Sequence, residues 1–174
     1  MEELVPFASR AYWGLFALLV AGRGLDFLST WVATPNLVLE ANPIARKLGW
    51  KWGGVVNLAL CAGLALWPLP ALIVVTTSVL VAARNFKSAW LMRSMGEHEY
   101  RAWMTAQVEA TPWPLFLFCL AGETLPYVAV GGALMYFESE RLIPMAVGMG
   151  NVAYGLAVAF YTLLSVWRLR RFMG

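Results

Sequence analysis

Arg23 and Asp26 stand three residues apart in an otherwise apolar run, Ala11 to Trp31, with Ser29 and Thr30 one turn further on. A guanidinium and a carboxylate at that spacing share one helix face, which the two hydroxyls extend. Such a set can pass a proton, hold a cation or small solute, or act as acid and base on a bound substrate. Glu40 and Asn42 follow, then Asn57, Arg84 with Asn85, Glu123 and Asn151, each inside or beside an apolar stretch. A charge near a bilayer centre costs about 2.5–3.5 kcal/mol on insertion scales, so these groups are expected to face one another rather than lipid.

The elements that must position them follow from composition. With 60% hydrophobic and 13% charged residues and a mean hydropathy of +0.65, the chain does not describe a soluble domain of 174 residues. Runs such as Leu72 to Ala83 lack the two-residue alternation of a barrel strand, so the expected fold is all-α, a polytopic membrane helical bundle in one domain. Five spans are predicted, Ala11–Thr34, Gly53–Trp67, Leu69–Met95, Pro114–Phe137 and Ile143–Arg168. The second offers only about 15 residues before Trp67-Pro68-Leu69-Pro70; it starts earlier, within Leu48–Trp52, lies tilted in a thinned layer, or is re-entrant. Residues 97–110 form an amphipathic interfacial helix or a continuation of the third span. Tyr100, Trp103, Met104 and Val108 recur at helical spacing there, leaving Glu97, Glu99, Arg101 and Glu109 more solvated.

Arg46, Lys47, Lys51, Lys87, Arg93, Arg101, Arg168, Arg170 and Arg171 fall on one side of that arrangement and only Arg10 and Arg141 on the other. Retention of basic loops in the cytoplasm then puts the N-terminus outside and the C-terminus inside. The expected location is a bacterial or archaeal plasma membrane, crossed several times. Glu2 and Glu3 replace the basic start of a secretory signal, so the first span is expected to stay in the mature chain. The net charge of +3 suits anionic lipid headgroups, and no nucleic-acid-binding pattern accompanies it. Cys61 and Cys119 both fall within spans, where a small apolar packing role is expected.

Counted at about 1.5 Å per residue, Asp26 and Arg84 both lie roughly 22 Å below the outer boundary. The expected ion pair therefore joins the first and third spans, with Arg23 as a competing partner for Asp26. Glu123 lies roughly 14 Å from the inner boundary and Asn151 roughly 12 Å from the outer. Five spans that each bring a polar group suggest one cavity; the alternative for Asn57, Asn85 and Asn151 is interhelical hydrogen bonding without chemistry. Asn42 suits an N-cap with Pro43 at the first position of a short helix, 44–48, and Glu40 is expected to turn back toward Arg84 or Arg46. Ala146, Gly150, Ala153 and Ala157 make a smooth stripe, for packing inside the bundle or against a second subunit.

Enzyme patterns are sparse. His98 is the lone histidine, inside the charged Glu97-His98-Glu99 turn, and no glycine-rich phosphate loop occurs, so no metal or cofactor is implied.

The runs Leu25-Asp26-Phe27-Leu28-Ser29-Thr30 and Leu39-Glu40-Ala41-Asn42-Pro43 resemble the opening signature of a family of small bacterial and archaeal membrane proteins known only as a domain of unknown function. The resemblance covers about the first 50 residues. It implies a short multi-helical integral membrane protein with Asp26, Thr30, Glu40, Asn42 and Pro43 at the pattern's positions, and implies no activity. The functional expectation is conduction or transport of a proton, cation or small solute through the polar cluster. The alternatives are an accessory subunit whose cluster only fixes helix packing, and an intramembrane enzyme for a lipid-like substrate that uses Asp26 and Glu123 as acid and base.

Overall fold

The computed structural model describes residues 4–40 and 42–171; Glu2, Glu3 and Ala41 lie outside the described residues, and of Arg171 only the backbone is described. The described residues form helices α1 (Arg10–Ala33), α2 (Pro43–Leu64), α3 (Pro68–Met95), α4 (Glu97–Ala110), α5 (Trp113–Phe137) and α6 (Leu142–Arg171), and no strand. Four of them, α1, α3, α5 and α6, are long and apolar enough to cross a membrane. The helix α2 does not meet that standard, and its first turns carry Arg46, Lys47 and Lys51.

It also begins ten residues before the expected Gly53. Asn42 accepts from the N–H groups of Ile44 and Ala45 at 3.0 and 3.4 Å, with Pro43 at the first position, so the expected cap forms. Gly49 then takes φ +66 and ψ −174, a conformation almost confined to glycine, and turns this short helix into the longer stretch from Trp50 to Leu64. That stretch runs back along α1. Trp50 Nε1 donates to the Pro35 carbonyl beyond the end of α1, and the Tyr12 hydroxyl donates to the Ala62 carbonyl near its start.

The long helices stand in an open row, in the order α2, α1, α3, α6, α5. Small residues allow the close approaches, as packing in lipid favours. Along the parallel α1–α3 seam, Gly22 faces the Val75 backbone, and Ala71, Ser78, Ala82 and Ala89 are buried. On α6, a Cβ at Gly150 would come within 2.6 Å of Thr76 of α3, whereas one at Gly148 would come within 2.7 Å of the Gly131 carbonyl of α5. Two residues correspond to about 200° of helix rotation, so α3 and α5 grip opposite sides of α6. The expected stripe is thus occupied by α3 at Gly150; Ala146 is buried as well, while Ala153 and Ala157 are half-buried.

A strap, α4, crosses one end of this row. Gly96, with φ +83 and ψ 151, serves both as the end of α3 and the start of α4 and reverses the chain in one residue. Tyr100 and Val108 turn inward as expected, but Trp103 is 41% exposed and Glu97, expected in solvent, is 8% exposed. At the far end, Arg170 of α6 donates to the carbonyls of Val108 and Thr111, both at 2.7 Å, and stacks over the Trp113 ring. The last carbonyls of α4 are satisfied by that guanidinium.

Candidate functional site

The polar residues gather in two clusters and not in one cavity. In the first, Arg23 of α1 donates through Nη1 to Asp26 at 2.7 Å and to Ser78 of α3 at 3.2 Å, and through Nε to Asn57 of α2 at 2.7 Å. The Asn57 amide also donates to the Gly53 carbonyl, holding its oxygen toward Arg23. One guanidinium thereby ties three helices together, with its charge balanced by Asp26. A shallow groove of about 210 Å³ between α1 and α2 opens beside it, lined by Val20, Gly24, Phe27, Leu58 and Cys61. Two turns toward the strap, the Asn85 amide of α3 donates to Ser29 and Thr30 at 3.2 and 3.4 Å, closing the same seam.

The second cluster lies between α3 and α5. Arg84 Nε donates to Glu123 at 2.8 Å and Nη2 to the Thr162 hydroxyl of α6 at 3.3 Å. Tyr154, packed on the Tyr127 ring at 4.7 Å between centroids, lies within electrostatic reach of both charges. The expected Asp26–Arg84 pair is therefore replaced by Arg23–Asp26 and Arg84–Glu123. Equal depth was not sufficient. The side of α3 that meets α1 carries Ser78, Ala82, Asn85 and Ala89, and Arg84 is two residues, about 200°, past Ala82 on the side toward α6.

The remaining candidates have local partners. Asn151 donates to the Val147 carbonyl of its own helix, and Glu40 accepts from the Asn42 N–H at 2.7 Å.

Sequence reasoning also misplaced Glu97, which it put in solvent. Its carboxylate accepts from the Thr34 hydroxyl at 2.7 Å, the N–H groups of Asn36 and Val38 at 2.9 and 3.0 Å, and the Asn36 amide at 3.0 Å. Burial pushes its pKa up, but these donors, led by the Thr34 hydroxyl, outweigh burial and hold Glu97 below the usual carboxylate range. The signal available was the turn that follows α1 at Thr34-Pro35-Asn36, where the N–H groups of Asn36 and Val38 need an acceptor that the turn itself does not supply.

Comparison with protein-family models, with curated proteins and with solved structures finds no match.

Proposed function

We propose that this chain is a structural or accessory subunit of a plasma membrane, of the small bacterial and archaeal kind that its opening signature resembles, whose charged clusters fix helix packing. One observation carries this reading: each charged pair inside the row is closed within the chain and roped to a further helix, Arg23–Asp26 to α2 and α3, and Arg84–Glu123 to α6. A charge held this way is costly to unpair and ill suited to exchange a proton or ion during each passage. We further infer five crossings, α1, α2, α3, α5 and α6, with the strap in the cytoplasm. In support, α1 and α3 run parallel, so α2 has to return the chain, and the basic residues of the α2 start, the strap and the α6 end share one side.

The transport reading draws on a different observation, the partial exposure of Arg84 and Glu123 at 37% and 41%. Proton and cation flux in proteoliposomes separates the two. No flux above empty vesicles, with a lower melting temperature for Asp26→Asn, is the expected result; flux in wild type that vanishes in Asp26→Asn at unchanged melting temperature would establish conduction instead.

A further inference from the structure

The Arg84–Glu123 pair has a feature that packing within one chain leaves unused. Glu123 is ten residues from the start of α5, about 15 Å into an apolar helix, yet its side chain and that of Arg84 are each about two-fifths exposed. The two reach toward each other across the front of α6, from helices on its opposite sides. On the back of α6, Phe160, Leu163 and Trp167 form an apolar lipid-facing surface; Thr162 lies on the other side, beneath the ion pair. The front is thus the side on which charge meets the surroundings at membrane depth, where lipid tails offer nothing polar.

We propose that this front face is covered by a second copy of the chain, related by a twofold axis along the membrane normal. A rotation about that axis keeps every residue at its own depth and reverses the direction from α3 to α5. Arg84 is then set opposite the second copy's Glu123, and Glu123 opposite the second copy's Arg84, which is the self-complementarity that an isologous interface requires. Four charges alternate in sign around the axis, and each gains a second counter-charge in place of lipid. A lipid phosphate at the interface is about 15 Å short of Glu123. An unrelated helix would need its own cation and anion at this depth and spacing; a second copy has them by symmetry. The dimer rests on the membrane crossing of α3, α5 and α6 and not on the structural role proposed above, so flux in wild type would overturn that role and leave the dimer test untouched.

The chain carries its own reporter. Cys119 is exposed, one helical turn from Glu123 and on the same side of α5, whereas Cys61 is buried. Wild-type protein in lipid vesicles, treated with a membrane-permeant bismaleimide, should give a covalent dimer through Cys119. Glu123→Arg leaves two cations at the site and Arg84→Glu two anions, so neither variant can pair with itself. Each alone should lose at least about tenfold in cross-linked yield, and the two differently tagged variants reconstituted together should recover it as the mixed pair. Within either chain the like charges only repel, so recovery reports contacts between chains. The proposal is overturned if wild type stays monomeric while a monofunctional maleimide labels Cys119 fully, or if either variant alone cross-links as well as wild type. The wild-type arm decides the matter even where a charge reversal prevents folding.

Discussion

Removing the Glu97 carboxylate gives the sharpest test of how the strap is held. Glu97→Ala leaves the Thr34 hydroxyl, the Asn36 amide and the N–H groups of Asn36 and Val38 without their acceptor. At about 1 kcal/mol for each orphaned donor close to the surface, the loss is about 4 kcal/mol. Glu97→Gln keeps one oxygen. The Thr34 hydroxyl can turn to accept from the new amide, but Val38 N–H cannot, and with the charge gone the loss is about 2 kcal/mol. For a chain of this size about 1 kcal/mol moves the melting temperature about 2–4 °C, so the expected drops are about 8–16 °C for alanine and about 4–8 °C for glutamine. Thermal unfolding in lipid nanodiscs reads the global effect, and hydrogen exchange at Asn36 and Val38 reads the local one. Equal melting of all three proteins, with both amides still protected in Glu97→Ala, would refute the reasoning.

Three further outcomes follow from the same geometry. Because the folded pKa of Glu97 is depressed, its contribution is present above the unfolded value of about 4.3 and disappears as pH falls through the lower folded value; the melting gap between wild type and Glu97→Ala should be full at pH 7 and shrink steadily in acid. Gly131→Ala drives a Cβ to 2.5 Å from the Gly148 carbonyl, whereas Gly132→Ala meets nothing within 4 Å, so the first should lower the melting temperature sharply and the second leave it level or slightly raised. Gly96→Ala meets no atom either, yet forces a side chain onto φ +83, and should cost about 1–3 kcal/mol in thermal unfolding through backbone strain alone.

Much of the fold was legible because long apolar helices follow coarse rules of length and composition. Apolar runs of the right length located α1, α3, α5 and α6 to within a residue or so at most ends, and Tyr100, Met104 and Val108 at helical spacing located α4. Asn42-Pro43 announced the start of α2, though its kink rested on the backbone of Gly49, which carries no pattern of its own. Partner choice was harder to read. Depth along a helix follows from counting, but the angle at which a helix faces its neighbour depends on which small residues let backbones approach, and Ser78, Ala82 and Ala89 on α3 outweighed the charge of Arg84. The glycine contacts of Gly131 and Gly148 were missed for the same reason, since a stripe was sought on one face of α6 and it is gripped on two. Glu97 was read from the polarity of its neighbours His98 and Glu99, while its true partners lie about sixty residues earlier in the chain.

The central claim, that the intramembrane charges hold helices rather than carry cargo, is tested most directly by a double-mutant cycle on Arg23 and Asp26, read as unfolding free energy in nanodiscs. Asp26→Asn strands the Arg23 guanidinium among α1, α2 and α3 and should cost about 3 kcal/mol, and adding Arg23→Gln should recover more than about half of it. Single and double changes that are strictly additive, with Asp26→Asn as stable as wild type, would contradict the account.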